Sequence, residues 1–261
     1  MTVNPTGALH VEHCMGTVFS IAVRDGGDWT RAIADVVAWL HRVDAVFSTY
    51  QPGSDVSRLR RGELALEDAD PLVPAVLDLC ERYEGETGGA FTAHLPGGLD
   101  PTGLVKGWAI EWASDILRER GSANHAVNGG GDVQTAGESA PGRPWRIGIS
   151  DPHRPGTVLT AVSGRGIAVA TSGVAERGAH IVDPSTGTSA EGLASVTVVG
   201  RSLTVVDAYA TAAFVKGEGA LAWLESGVGH EGLIVSHDGS TRRTSGFASR
   251  YEPESKRGDS A

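Results

Sequence analysis

The stretch Ser202-Leu203-Thr204-Val205-Val206-Asp207-Ala208-Tyr209-Ala210-Thr211-Ala212-Ala213-Phe214-Val215 is dominated by Ala, Leu, Val and Phe. That composition predicts a mostly buried helix. Residues four apart share one helix face, so Asp207 and Thr211 project together. A bare carboxylate in an apolar setting is costly unless a positive charge or a donor meets it. A hard cation such as Mg²⁺ takes oxygen ligands and fits the pair. The alternative is an Asp207 satisfied by backbone N–H groups, with Thr211 bonding its own helix carbonyl.

Working outward, the segments before this helix alternate in kind without a regular rhythm. Thr17 to Val23 reads as a strand. Asp28 is placed to cap a helix running to about Phe47, with Ile33, Val36, Val37, Leu40, Val43 and Phe47 on one face. Further helices are expected over Pro71–Glu86 and Leu104–Arg120. Short β-like runs follow at His125–Val127, Asp132–Thr135, Trp145–Ile149, Val158–Val162, Ile167–Ala170, His180–Val182 and Ser195–Val199. After the Asp207 helix come a helix near Ala220–Glu225 and a strand at Leu233–Ser236. This irregular mixture favours an α+β fold over a doubly wound parallel sheet. No linker or repeat divides the chain, so one domain is expected over residues 1–250. The polar residues 251–261 are expected to form a disordered tail.

The 261 residues are 40% hydrophobic, enough for a sizeable core, and the formal net charge is -10. That charge argues against a general nucleic-acid binder, which needs clustered Lys and Arg. Two cysteines, Cys14 and Cys80, form neither a disulfide framework nor a metal motif. No apolar run reaches the length of a membrane span, and the first residues lack the pattern of a signal peptide. Cys14 follows a polar Val-Glu-His, unlike a lipoprotein cleavage site. The expected location is therefore the cytoplasm, without membrane insertion. The 36 glycines cluster between periodic segments, which predicts many tight turns and backbone close to a ligand.

Three other segments carry candidate chemistry. Asp100-Pro101-Thr102-Gly103-Leu104-Val105-Lys106-Gly107 delivers a turn and then a helix N-terminus, where free N–H groups and the helix dipole favour an anion. Lys106 is misplaced for the dipole alone and makes sense beside a phosphate. The segment is not a Walker A loop; the alternative is a capped helix with a solvated lysine. Asn128-Gly129-Gly130-Gly131-Asp132 reads either as a nucleotide loop or as a tight hairpin. In Ala170-Thr171-Ser172-Gly173 and Arg177–Gly187, His180 could act as a general base or be structural. Asp183 before Pro184 reads as turn-forming. Ser172 sits in no Gly-x-Ser-x-Gly elbow, which argues against a serine hydrolase.

Taken in order, these pieces resemble the ApbE flavin transferases, which attach FMN from FAD to a protein threonine or serine. The resemblance rests on nine segments: Met15-Gly16-Thr17, 47–59, Gly89-Ala90-Phe91, 100–107, 127–132, 145–149, 170–173, 180–187 and 207–217. It implies a T-fold-related α+β unit of mixed sheets with packed helices, with its site between two lobes. It also implies that Met15 and Tyr50 lie against the flavin or adenine of FAD, and that Ala90, Phe91 and Thr92 form part of the nucleotide pocket. Asp100 and Lys106 would contact FAD, Lys106 near the pyrophosphate, and Ile181 would border the nucleotide. The backbone oxygen of Gly103 would join Asp207 and Thr211 as Mg²⁺ ligands, and His180 would be the base. Thr92 departs from the Asp that family members commonly carry there.

The resemblance thus implies a Mg²⁺-dependent transferase that uses FAD as substrate. It would place FMN on a Thr or Ser hydroxyl of an acceptor flavoprotein and release AMP. An FAD pyrophosphatase on the same scaffold, giving FMN and AMP, and a non-catalytic FAD-binding protein are the alternatives.

Overall fold

The computed structural model describes residues 7–173, 181–227 and 229–252. In chain order the strands are β1 (Ala8–Cys14), β2 (Thr17–Val23), β3 (His94–Leu95), β4 (Gly98–Leu99), β5 (His125–Gly129), β6 (Asp132–Ala136), β7 (Trp145–Ser150), β8 (Val158–Gly164), β9 (Ala168–Gly173), β10 (Ser195–Gly200), β11 (Glu231–Val235) and β12 (Thr241–Arg243). The α-helices are α1 (Thr30–Phe47), α2 (Asp55–Arg60), α3 (Leu72–Thr87), α4 (Thr102–Glu119), α5 (Leu203–Lys216), α6 (Ala220–Ser226) and α7 (Phe247–Tyr251).

Eight strands form one sheet in the order β1-β2-β5-β6-β9-β10-β11-β12. Every ladder among the described strands is antiparallel, so the mixture lies in sheets and helices rather than in strand direction. The period of two along a strand sends alternate residues to opposite faces. Along β10, Val196 and Val198 enter the main core, which includes Leu104, Ile110, Leu203 and Phe214 of α4 and α5. Val199 instead joins a second core with Ile149 and Val162 of the β7–β8 hairpin and Phe247 of α7. Both faces of the central strands are thereby covered, which explains why β6, β10 and β11 are buried along their whole length.

Local chemistry accounts for the joints. Asp28 Oδ1 accepts the Thr30 N–H at 3.0 Å, but the cap position of α1 is Trp29 and no side chain caps the helix, so the expected Asp28 cap is corrected to a turn just ahead of it. α3 ends on Gly88 in the left-handed conformation, φ +65°. The glycine run closes β5 onto β6: Gly129 pairs with Asp132, leaving Gly130 and Gly131 as a two-residue turn at φ +58° and +93°. That is the tight hairpin, with the positive φ values such turns demand.

Two boundaries are corrected. The expected tail begins too early at 251: Tyr251 ends α7 and packs partly buried on the second core, while Glu252 pairs with Arg243. The rest of that tail, 253–261, lies outside the described residues. The strand expected at His180–Val182 is reduced to an isolated bridge between Val182 and Ser189, and His180 itself lies outside the described residues. No helix among the described residues is long and apolar enough to cross a membrane.

Candidate active site

The site lies where α4 crosses α5 at the end of β9. Gly107 is the residue that lets the helices meet. A β-carbon there would fall 2.7 Å from the Asp207 β-carbon and 2.8 Å from the Leu203 carbonyl oxygen. The Gly107 N–H donates to Asp207 Oδ2 at 2.8 Å. An unbroken helix aims that same N–H at the Gly103 carbonyl, so the carboxylate competes with Gly103 for it. The backbone-satisfied reading of Asp207 therefore holds for one of its oxygens. The other, Oδ1, lies 4.0 Å from the Lys106 ammonium.

Lys106 is not a solvated lysine. Its ammonium pairs with Asp132 Oδ2, and the other Asp132 oxygen accepts the Thr171 N–H at 3.0 Å. Asp132 and Asp207 are only 1% and 4% exposed. Among the described residues, two buried carboxylates face this one ammonium. Thr211, one turn beyond Asp207, does not depend on its own helix: its hydroxyl lies 3.3 Å from Ser172 Oγ on β9.

Two adjoining cavities open around this group. The first is a cleft whose walls include Ala90, Phe91, Thr92, Asp100, Gly103, Lys106, Ile181, Asp207 and Thr211. The second, on the far side of Lys106, is lined by Met15 and Tyr50 together with Phe47 and Val105. Thr102 and Lys106 belong to both. All the sequence-derived site residues thus gather around one place, except His180, which lies outside the described residues.

Each wall has a local cause. Asp100 Oδ1 accepts the Thr102 N–H at 3.0 Å and the Thr102 hydroxyl at 2.6 Å, so it starts α4 and aims the helix N-terminus at the cleft. Phe91 is held by its N–H on Thr87 Oγ1 at 3.1 Å, and its ring lies 3.3 Å from where a Gly103 β-carbon would be. Asp183 is a turn former as expected, accepting the Ser185 N–H at 2.8 Å. Met15 has φ +50°, the only described non-glycine residue in the left-handed region, and sits with Gly16 in the turn between β1 and β2. Tyr50 is 92% exposed at the mouth of the second cavity.

Sequence reasoning missed Asp132 as a site residue. Its only signal was the glycine run before it, and nothing local marks it as the partner of Lys106. Ser172, noted there only for lacking a hydrolase elbow, lies on the wall beside Thr211. Asp207, Thr211 and the Gly103 carbonyl, all on the lining of this cleft, offer only hard oxygen and so suit Mg²⁺. Among the described residues no three His, Cys, Asp or Glu side chains cluster to hold a metal by themselves. A cation here would complete its shell with water or substrate oxygens, the usual habit of Mg²⁺.

Comparison with known proteins bears on the family and the fold. The sequence pattern of the ApbE family matches residues 15–96 and 94–234. A FAD:protein FMN transferase of Rhodobacter capsulatus is 35% identical over 59% of this chain and 31% of its own length. One of Vibrio cholerae is 33% identical over 46% of this chain and 39% of its own. The chain thus spans 31% to 39% of the length of these curated relatives. Among solved structures, the ApbE protein of Thermotoga maritima superposes with a TM-score of 0.84 at 25% identity, covering 95% of this chain and 100% of that one. The flavin transferase ApbE of Vibrio cholerae shares the fold, with a TM-score of 0.81 at 23% identity over 94% of this chain and 99% of that one.

Proposed function

This chain belongs to the ApbE family, and from that premise we propose that it transfers FMN from FAD to a Thr or Ser hydroxyl of an acceptor protein and releases AMP. The observation that carries the proposal is the meeting of buried Asp207, Lys106 and the α4 N-terminus on one cleft wall. FAD is a dinucleotide with a central pyrophosphate, and that wall offers a pyrophosphate both an ammonium and the positive end of a helix dipole.

In the reaction the acceptor hydroxyl oxygen bonds to the FMN phosphorus, the bond from that phosphorus to the AMP oxygen breaks, and AMP leaves. The hydroxyl proton goes to a base, which the family resemblance assigns to His180. Asp207, Thr211 and the Gly103 carbonyl would hold Mg²⁺, which when bound offsets charge on the pyrophosphate oxygens. Lys106, held by Asp132, keeps a positive charge where negative charge grows on the leaving phosphate. Phe91 and Ile181 on one side, and Met15 and Tyr50 on the other, shield the two halves of the dinucleotide.

The test is to incubate the protein with FAD, Mg²⁺ and candidate acceptor polypeptides and weigh the products. One added FMN mass on the acceptor, lost when its Thr or Ser is replaced, is the expected result. AMP release at a rate no acceptor changes would assign a pyrophosphatase instead. Bound but uncleaved FAD would assign a carrier.

A further inference from the structure

The departure at position 92 builds a contact of its own. The Thr92 hydroxyl donates to Glu84 Oε2 of α3 at 2.6 Å and accepts the His94 N–H at 3.0 Å. An ionised carboxylate can only accept, so the hydroxyl proton is committed to Glu84. One of the two lone pairs is committed to His94. What Thr92 has left for the cleft it lines is a single lone pair, made a better acceptor by the charge behind it. The backbone that carries Glu84 is anchored in turn, because its carbonyl takes the Gly89 N–H at 2.8 Å where α3 ends.

We infer that Glu84 is a positioning residue that locks Thr92 as a hydrogen-bond acceptor, so that this wall reads a donor group of the bound nucleotide, a base amino group or a sugar hydroxyl. A phosphate or a carbonyl is disfavoured there, since it brings only lone pairs towards an acceptor backed by a carboxylate. The phosphates are thereby directed towards Lys106, which lines the same cleft. The inference rests on the FAD reading and adds to it the polarity of one contact.

Binding of FAD, followed by its fluorescence, and displacement of FAD by AMP, IMP and 2′-deoxy-AMP test it. IMP carries a carbonyl where AMP carries the amino group; the deoxy compound lacks one sugar hydroxyl. The wild type should prefer AMP about tenfold over whichever analogue lacks the donor that is read, the scale of one hydrogen bond. Thr92→Val should weaken FAD and AMP about tenfold and bring that preference near one, while Thr92→Ser keeps both. If the amino group is read, Glu84→Gln should narrow the AMP preference over IMP. The new amide can donate to Thr92 and free its proton to meet the IMP carbonyl. If the sugar is read, the 2′-deoxy ratio collapses in Thr92→Val and the IMP ratio does not move. A ratio of affinities does not depend on the fraction of protein folded, so a destabilised variant still reports. Wild-type ratios in both Thr92→Val and Glu84→Gln, with FAD bound normally, overturn the inference alone. A wild type that binds no FAD overturns the flavin reading beneath it.

Discussion

Gly107 and Asp207 are joined across the α4–α5 crossing: the glycine N–H donates to the carboxylate at 2.8 Å, and no β-carbon fits between them. Gly107→Ala should gain about 1 kcal/mol of helix propensity and lose more through overpacking, which costs about 1–3 kcal/mol. The expected outcome is a lower melting temperature together with a loss of Mg²⁺-stimulated AMP release, because Asp207 is pushed from its place. A variant that melts and reacts like the wild type would show that the crossing is looser than described.

Asp132→Asn keeps an oxygen for the Thr171 N–H but removes the charge that holds Lys106. The ammonium should then swing towards Asp207 and compete with the cation. The Mg²⁺ concentration for half-maximal turnover should rise by about an order of magnitude, the equivalent of one charged contact of about 1.5 kcal/mol. Magnesium titration of initial rates checks this, with Asp207→Asn as the variant that should show no magnesium response at all.

Met15 holds a positive φ at a cavity wall. A left-handed residue with a β-carbon costs about 1–2 kcal/mol, and glycine loses about 0.5–1 kcal/mol of backbone entropy when it is fixed. Met15→Gly should therefore leave stability nearly unchanged in denaturant titration while lowering FAD affinity several-fold. Unchanged affinity would remove Met15 from the binding surface.

His125 is fully buried, with Nε2 2.8 Å from Ser114 Oγ and Nδ1 2.9 Å from Ser122 Oγ. Burial, helped by the nearby Arg118 charge, pushes its pKa down to about 4 from 6.5. The unfolded chain then takes up a proton more readily than the folded one. The stability tied to neutral His125 is complete above pH 6.5 and is lost as the pH falls towards 4. Between pH 7 and pH 5 the loss should be on the order of 2 kcal/mol. Urea unfolding at the two pH values measures it, and a stability independent of pH in wild type would contradict the buried neutral imidazole.

The helices were legible because long apolar periodicity survives any tertiary arrangement: α1, α3, α4 and α5 begin and end within about two residues of expectation. β1 was not, for a physical reason. Its inward positions are His10, Glu12 and Cys14, while Leu9 and Val11 are exposed. The polar pair faces inward because Glu12 bridges His10 and His41 of α1, each at 3.1 Å. The alternation is therefore inverted and reads as no strand. At the site, Asp207, Thr211 and Lys106 could be picked out because each breaks a local rule. Asp132 obeys its local rules and is recognisable only from across the sheet.

The wall that Thr102 and Lys106 share between two cavities gives the proposed reaction a direction. A ligand that fills both cavities binds each half at the high effective concentration set by the bond linking them. Cutting that bond over Lys106 turns one guest with two anchorages into two guests with one each. The intact substrate would be retained by its wholeness, and each product of the proposed cleavage would keep a single anchorage.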